Sequence, residues 1–85
     1  MAFIYSLHAI EQMKLRGLNK SIVDDVLKSP GKVIIETGGV NIYQKIVPEK
    51  DKPYLYRVFV NREKKPPLVI TAYKTSKTDR YENQI

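Results

Sequence analysis

Residues 32–47, KVIIETGGVNIYQKIV, decide the fold. The stretch is rich in β-branched and aromatic residues, takes up a two-residue period and is split by Gly38–Gly39, which reads as two strands joined by a tight turn. The expected strands run over 32–37 and 40–47. Downstream, PEKDKP breaks the chain, YLYRVFVN gives a third strand over 54–61, REKKPP breaks it again, and LVITAY gives a fourth over 67–73.

Upstream of Lys32 the period is helical. Leu7, Ile10 and Met13 recur at helical spacing behind Ser6, a capping residue, and Gly17 stands where a left-handed helix end would fall. Asn19 heads a second run, with Ile22, Val23, Val26 and Leu27 on one side and Asp24, Asp25 and Lys28 on the other, until Ser29-Pro30-Gly31 ends it. Helices over 6–16 and 20–28 follow. Two amphipathic helices ahead of four strands predict an α+β domain in which both helices pack on one face of a four-stranded antiparallel sheet.

The whole chain, 85 residues, suits one domain with one modest core. It holds no cysteine and a single histidine, His8, so disulfides and thiolate or zinc sites lack ligands; neither a metal nor a cofactor is expected. No window approaches the ~20 apolar residues of a membrane span, and a basic lead followed by a long apolar run is missing. A soluble, unprocessed cytoplasmic protein with no membrane partner is the expectation. The net charge of +6 is uneven: residues 1–37 carry five cations against four acids, and residues 38–85 carry ten against five. A basic face of that size attracts polyanions, RNA among them, although a solubilising lysine-rich surface has the same composition.

Strand alternation divides the last two strands between faces. Val58, Val60, Leu68, Ile70 and Ala72 are expected on the helix-covered face, because no charge interrupts them. Arg57, Thr71, Tyr73 and Thr75 then share the opposite face, with Phe59 and Val69 beside them. An arginine between Leu55 and Phe59 has two readings: its stem lies along apolar neighbours while the guanidinium reaches water or a cross-strand partner, or Arg57 lines a phosphate-holding cleft with Lys74 and Lys77. His8 likewise has two. It lies in the first turn of the first helix, where the positive end of the helix dipole favours the neutral ring, and shares a polar stripe with Gln12 and Arg16. A capping or packing role and a proton-transfer role both fit.

His8, Ala9, Met13, Arg16 and Gly17 at one end, with Thr71, Tyr73, Thr75, Ser76, Lys77 and Tyr81 at the other, resemble the small proteins grouped as domain of unknown function 4258. The likeness spans about residues 6 to 82. That group is similar in layout to RelE-like and BrnT-like toxins, metal-independent ribonucleases with two helices on an antiparallel sheet. The resemblance therefore implies RNA cleavage and an antitoxin protein as partner.

Metal-free RNA cleavage needs a base for the 2′-hydroxyl, cations around the charged phosphorane and an acid for the leaving 5′-oxygen. His8 is the one side chain whose ordinary pKa suits proton transfer near neutrality. With it, Arg57, Tyr73 and Lys77 form the catalytic candidates; Arg16, Thr71, Lys74, Thr75, Ser76 and Tyr81 are the RNA-binding candidates, by charge, hydrogen bonding or stacking. A non-catalytic RNA-binding or protein-interaction module using the same face is the alternative.

Overall fold

A computed structural model describes residues 2–79. Ser6 is extended, and its Oγ accepts from the Ala9 amide at 3.0 Å to open α1 (Leu7–Leu15). Such an acceptor satisfies one of the amides that a first helical turn leaves without a partner. At the far end Gly17 sits at φ 66°, and the Gly17 and Leu18 amides donate back to the Lys14 and Met13 carbonyls at 3.2 and 2.8 Å. A Cβ would strain that left-handed closure. Asn19 then caps α2 (Lys20–Lys28), its Oδ1 accepting from the Ser21 amide at 2.8 Å. Both helices lie where the caps place them.

One sheet holds five strands, β1 (Ile4–Tyr5), β2 (Lys32–Ile35), β3 (Val40–Pro48), β4 (Pro53–Asn61) and β5 (Leu68–Thr75), in the order β1-β5-β4-β3-β2. From β2 to β5 the expected antiparallel meander is present, with Gly38 and Gly39 at φ 81° and 82° in its first turn. β1 corrects the four-stranded expectation. It pairs in parallel with β5, the Ile4 and Ser6 amides donating to the Pro67 and Val69 carbonyls at 3.0 Å each, so the sheet is mixed. Two residues are too few to show a period, and a capped helix begins immediately after them.

The main core lies between the helices and one sheet face, and Ile42 and Leu55 are buried on the other face. Ala9 and Met13 of α1 and Val23, Val26 and Leu27 of α2 pack against Tyr56, Val58, Val60, Val69 and Ala72. Each fully buried aliphatic side chain of Val or Leu size contributes roughly 1.5–3 kcal/mol. The membership of β5 departs from simple alternation. Phe59 pairs with Thr71 but Val60 pairs with Val69, which makes Ile70 the extra residue of a bulge. One inserted residue reverses which face the strand presents. Val69, expected on the opposite face, is fully buried in the core, whereas Leu68 and Ile70, expected in the core, are half-buried. No helix among the described residues is long and apolar enough to cross a membrane.

Candidate functional site

Three strands place one polar row across the face opposite the helices. Gln44 of β3 lies directly opposite Arg57 of β4, and Arg57 lies directly opposite Tyr73 of β5. Rows of larger apolar character flank it, Ile42 with Phe59 on one side and Ile46 with Leu55 on the other. Arg57 donates through Nε to Gln44 Oε1 at 2.9 Å and through Nη1 to the Tyr73 hydroxyl at 2.9 Å. Its guanidinium also stands 5.6 Å from the Phe59 ring centre and 6.0 Å from that of Tyr73, two rings tilted 32° to each other. Gln44 is 1 % exposed and Arg57 is 9 % exposed.

A long, flexible cation held at both ends of its guanidinium and against two rings is an oriented charge rather than a solvated one. Planar guanidinium donors match the oxygens of carboxylates and phosphates, and orientation reduces the entropy lost on binding. Thr71 and Thr75 are presented from the same strand face, opposite Phe59 and Leu55. Arg16 comes in from the end of α1, donating to the Ala72 carbonyl at 2.8 Å and to Thr71 Oγ1 at 3.2 Å. It thereby satisfies a carbonyl on the margin of β5 that the short β1 does not reach, and joins the helix to the Thr71 face.

Lys74 is placed differently from expectation. It pairs with Tyr56 and so belongs to the helix-side face, because adjacent strand residues point to opposite sides. There it binds Glu49 at 3.0 Å and stands 4.5 Å from the Tyr54 ring centre. Glu49 also accepts from the Tyr56 hydroxyl at 2.5 Å, and Asp51 accepts from Tyr54 at 3.0 Å. The Tyr56 bond, followed by the one from Lys74, holds the Glu49 carboxyl below its usual range. Burial, then Glu49, pushes the Tyr56 hydroxyl well above its usual value. Lys74 thus ties the β3–β4 turn to β5 and does not line a cleft with Arg57.

His8 is exposed in the first turn of α1, and among the described residues no hydrogen bond joins its ring to Arg57, Tyr73 or Lys77. Lys77 and Ser76 are exposed just past β5, where the Lys77 amide donates to Thr75 Oγ1 at 3.1 Å. Tyr81 lies outside the described residues. Of the expected set, Arg57, Tyr73, Thr71, Thr75 and Arg16 converge, Ser76 and Lys77 follow Thr75 in the chain, Lys74 lies on the other face, and His8 makes no hydrogen bond to the group among the described residues. Gln44 belongs to the site and was not expected there. Its signal was a lone amide at the shared parity of Ile42, Gln44 and Ile46, which becomes informative only once the short PEKDKP turn fixes Gln44 against Arg57.

On the other side of the sheet, a cleft of about 600 Å³ is lined by Phe3, Tyr5, Tyr43, Lys20, Asp24 and Lys28, among others. Tyr5 donates to Asp24, and Lys20 sits 4.6 Å from the Tyr5 ring centre. Burial, followed by the Asp24 bond, raises the Tyr5 hydroxyl far above its usual value. Those pairings close the wall of the cleft internally. Among the described residues no three His, Cys, Asp or Glu side chains gather as a metal site.

Comparison of the chain with family models, curated proteins and solved structures finds no match.

Proposed function

We propose that this protein is a metal-independent endoribonuclease of the toxin type, with its RNA-binding surface on the sheet face opposite the helices. The observation that carries the reading is the oriented guanidinium of Arg57, held by Gln44 and Tyr73 and set against two aromatic rings. The excess of cations in residues 38–85 and the resemblance at both ends of the chain support it. Cleavage proceeds by attack of the 2′-oxygen on the adjacent phosphorus as a base takes its proton. The bond from phosphorus to the 5′-oxygen then breaks, and an acid protonates that oxygen. Products carry a 2′,3′-cyclic phosphate and a 5′-hydroxyl.

In this scheme Arg57 stabilises the charged phosphorane, Arg16 and Lys77 hold flanking phosphates, and Tyr73 supplies a hydroxyl and a ring at the scissile position. His8 is the candidate base, reached by a strand that crosses the β5 margin past Arg16. An antitoxin protein that covers the same face is the proposed cellular partner. Incubation with RNA in the presence of a chelator, comparing the parent with Arg57→Ala, Tyr73→Phe and His8→Ala, tests the proposal. Cleavage lost in Arg57→Ala supports it; equal cleavage by parent and Arg57→Ala removes it.

That His8 makes no hydrogen bond to Arg57 or Tyr73 among the described residues favours a second reading, in which the face binds RNA without turnover. Salt-sensitive binding that leaves the RNA intact would select that reading over cleavage.

A further inference from the structure

β2 is an outer strand of the sheet, and among the described residues no other strand borders its outer side. The Glu36 amide donates to the Val40 carbonyl of β3 at 2.8 Å, opposite which it stands by continuation of the β2–β3 register. Backbone groups alternate in direction along an antiparallel ladder, so Lys32, Ile34 and Glu36 turn their amides and carbonyls toward β3. Val33 and Ile35 turn theirs outward. The side chains of Val33 and Ile35 are also exposed, by 37 % and 73 %. An outer strand that presents both unpaired backbone groups and apolar side chains is a template for another strand.

The sequence of this strand, Lys32-Val33-Ile34-Ile35-Glu36, is complementary to itself when reversed. Two copies related by a two-fold axis at Ile34 place Val33 opposite Ile35 of the second copy, and Lys32 opposite Glu36 of the second copy. This register makes Val33 and Ile35 the residues that exchange backbone hydrogen bonds, as their outward groups require. Centring the axis on Val33 would instead set Lys32 against Ile34. Neither Lys32 nor Glu36 has an ion pair within the chain among the described residues. Geometry, apolar exposure and charge therefore select the same pairing.

We infer that the chain self-associates into a two-fold dimer through antiparallel pairing of β2, continuing the sheet across ten strands. Each cross-strand Lys32–Glu36 contact occurs twice in such an isologous interface. The contact is short relative to standard protein interfaces, which places its dissociation constant in the range of about 1 μM to about 1 mM. Lys32 lies directly opposite Gln44, at the β2 end of the Gln44–Arg57–Tyr73 row, so the inference is tested by mass alone and not by RNA binding or cleavage.

Sedimentation equilibrium at low salt tests it. The parent mass is expected to rise with concentration from 9.8 kDa toward twice that value. Lys32→Glu and Glu36→Lys each set like charges opposite one another at both contacts, and each is expected to weaken self-association by roughly 10-fold. An equimolar mixture of the two variants restores opposite charges at both contacts and is expected to associate at least as tightly as the parent. Val33→Pro removes only an outward amide and is expected to remain monomeric with an unchanged circular dichroism spectrum. If Val33→Pro does not fold, the charge-swapped mixture remains decisive. A parent that stays monomeric up to about 1 mM, or a mixture that associates no better than either variant alone, overturns the inference.

Discussion

The Arg57 guanidinium donates at 2.9 Å to the hydroxyl of Tyr73, the residue directly opposite it in the β4–β5 ladder. On its other side the same group donates to Gln44, directly opposite in β3. One arginine is thus positioned by both neighbouring strands. A lysine at this position keeps the charge but has no second planar donor with which to hold both contacts. Arg57→Lys is expected to weaken RNA binding about 10-fold and to cost roughly 1–3 kcal/mol of stability, as the buried Gln44 oxygen loses the donor Arg57 supplies. Fluorescence anisotropy with labelled RNA and urea unfolding measure the two effects. Unchanged binding by Arg57→Lys would argue for a purely structural arginine.

Arg16 links α1 to the Ala72 carbonyl and to Thr71. Arg16→Ala is expected to lower stability by about 1 kcal/mol, the usual worth of a partly exposed hydrogen-bonded group. If Arg16 also touches a phosphate, the slope of log affinity against log salt should fall by about one unit relative to the parent. Salt titration of RNA binding separates the roles: an unchanged slope would restrict Arg16 to the fold.

The bulge at Ile70 predicts an order of stability opposite to that of simple alternation. Val69→Ala empties space in the core and is expected to cost about 2 kcal/mol, whereas Ile70→Ala, at a half-buried position, is expected to cost less. Urea midpoints of the two variants decide it. A larger loss for Ile70→Ala would restore the alternating strand.

Glu49 carries a pH dependence whose direction follows from its partners. The Tyr56 hydroxyl and Lys74 hold its folded-state carboxyl below the ordinary value, so its contribution is present above the unfolded-state pKa and lost as pH falls through the folded-state pKa. Thermal melts between about pH 5 and about pH 3 should therefore show a smaller loss of Tm in Glu49→Gln than in the parent. Parallel acid limbs for the two proteins would remove this linkage.

Much of the fold was legible because its signals are local. Ser6, Gly17 and Asn19 each mark a helix boundary by their own hydrogen-bonding or backbone chemistry, and the caps form as expected. Gly38–Gly39 marks the hairpin for the same reason. β1 was not legible, since its two residues acquire strand character only from pairing with Leu68 and Val69 far along the chain. The bulge was hidden too: Leu68 to Ala72 are all apolar or small apart from Thr71, so no polar residue reveals the change of face. Within the site, the shared parity of Arg57, Thr71, Tyr73 and Thr75 survived because it lies on one side of the bulge. Alternation already placed Lys74 beside Ala72, and its cationic neighbours drew it wrongly to the other face. The position of His8 relative to Arg57 depends on how α1 sits along β5, which no local pattern encodes.

RNA cleavage with chelator present, read by the appearance of 2′,3′-cyclic phosphate ends, tests the central claim most directly. The parent is expected to produce these ends, with Arg57→Ala slowed by at least about 100-fold and His8→Ala slowed by a comparable factor of about 100-fold. Parent protein that binds RNA and leaves it intact, or Arg57→Ala that cleaves at the parent rate, would contradict the account.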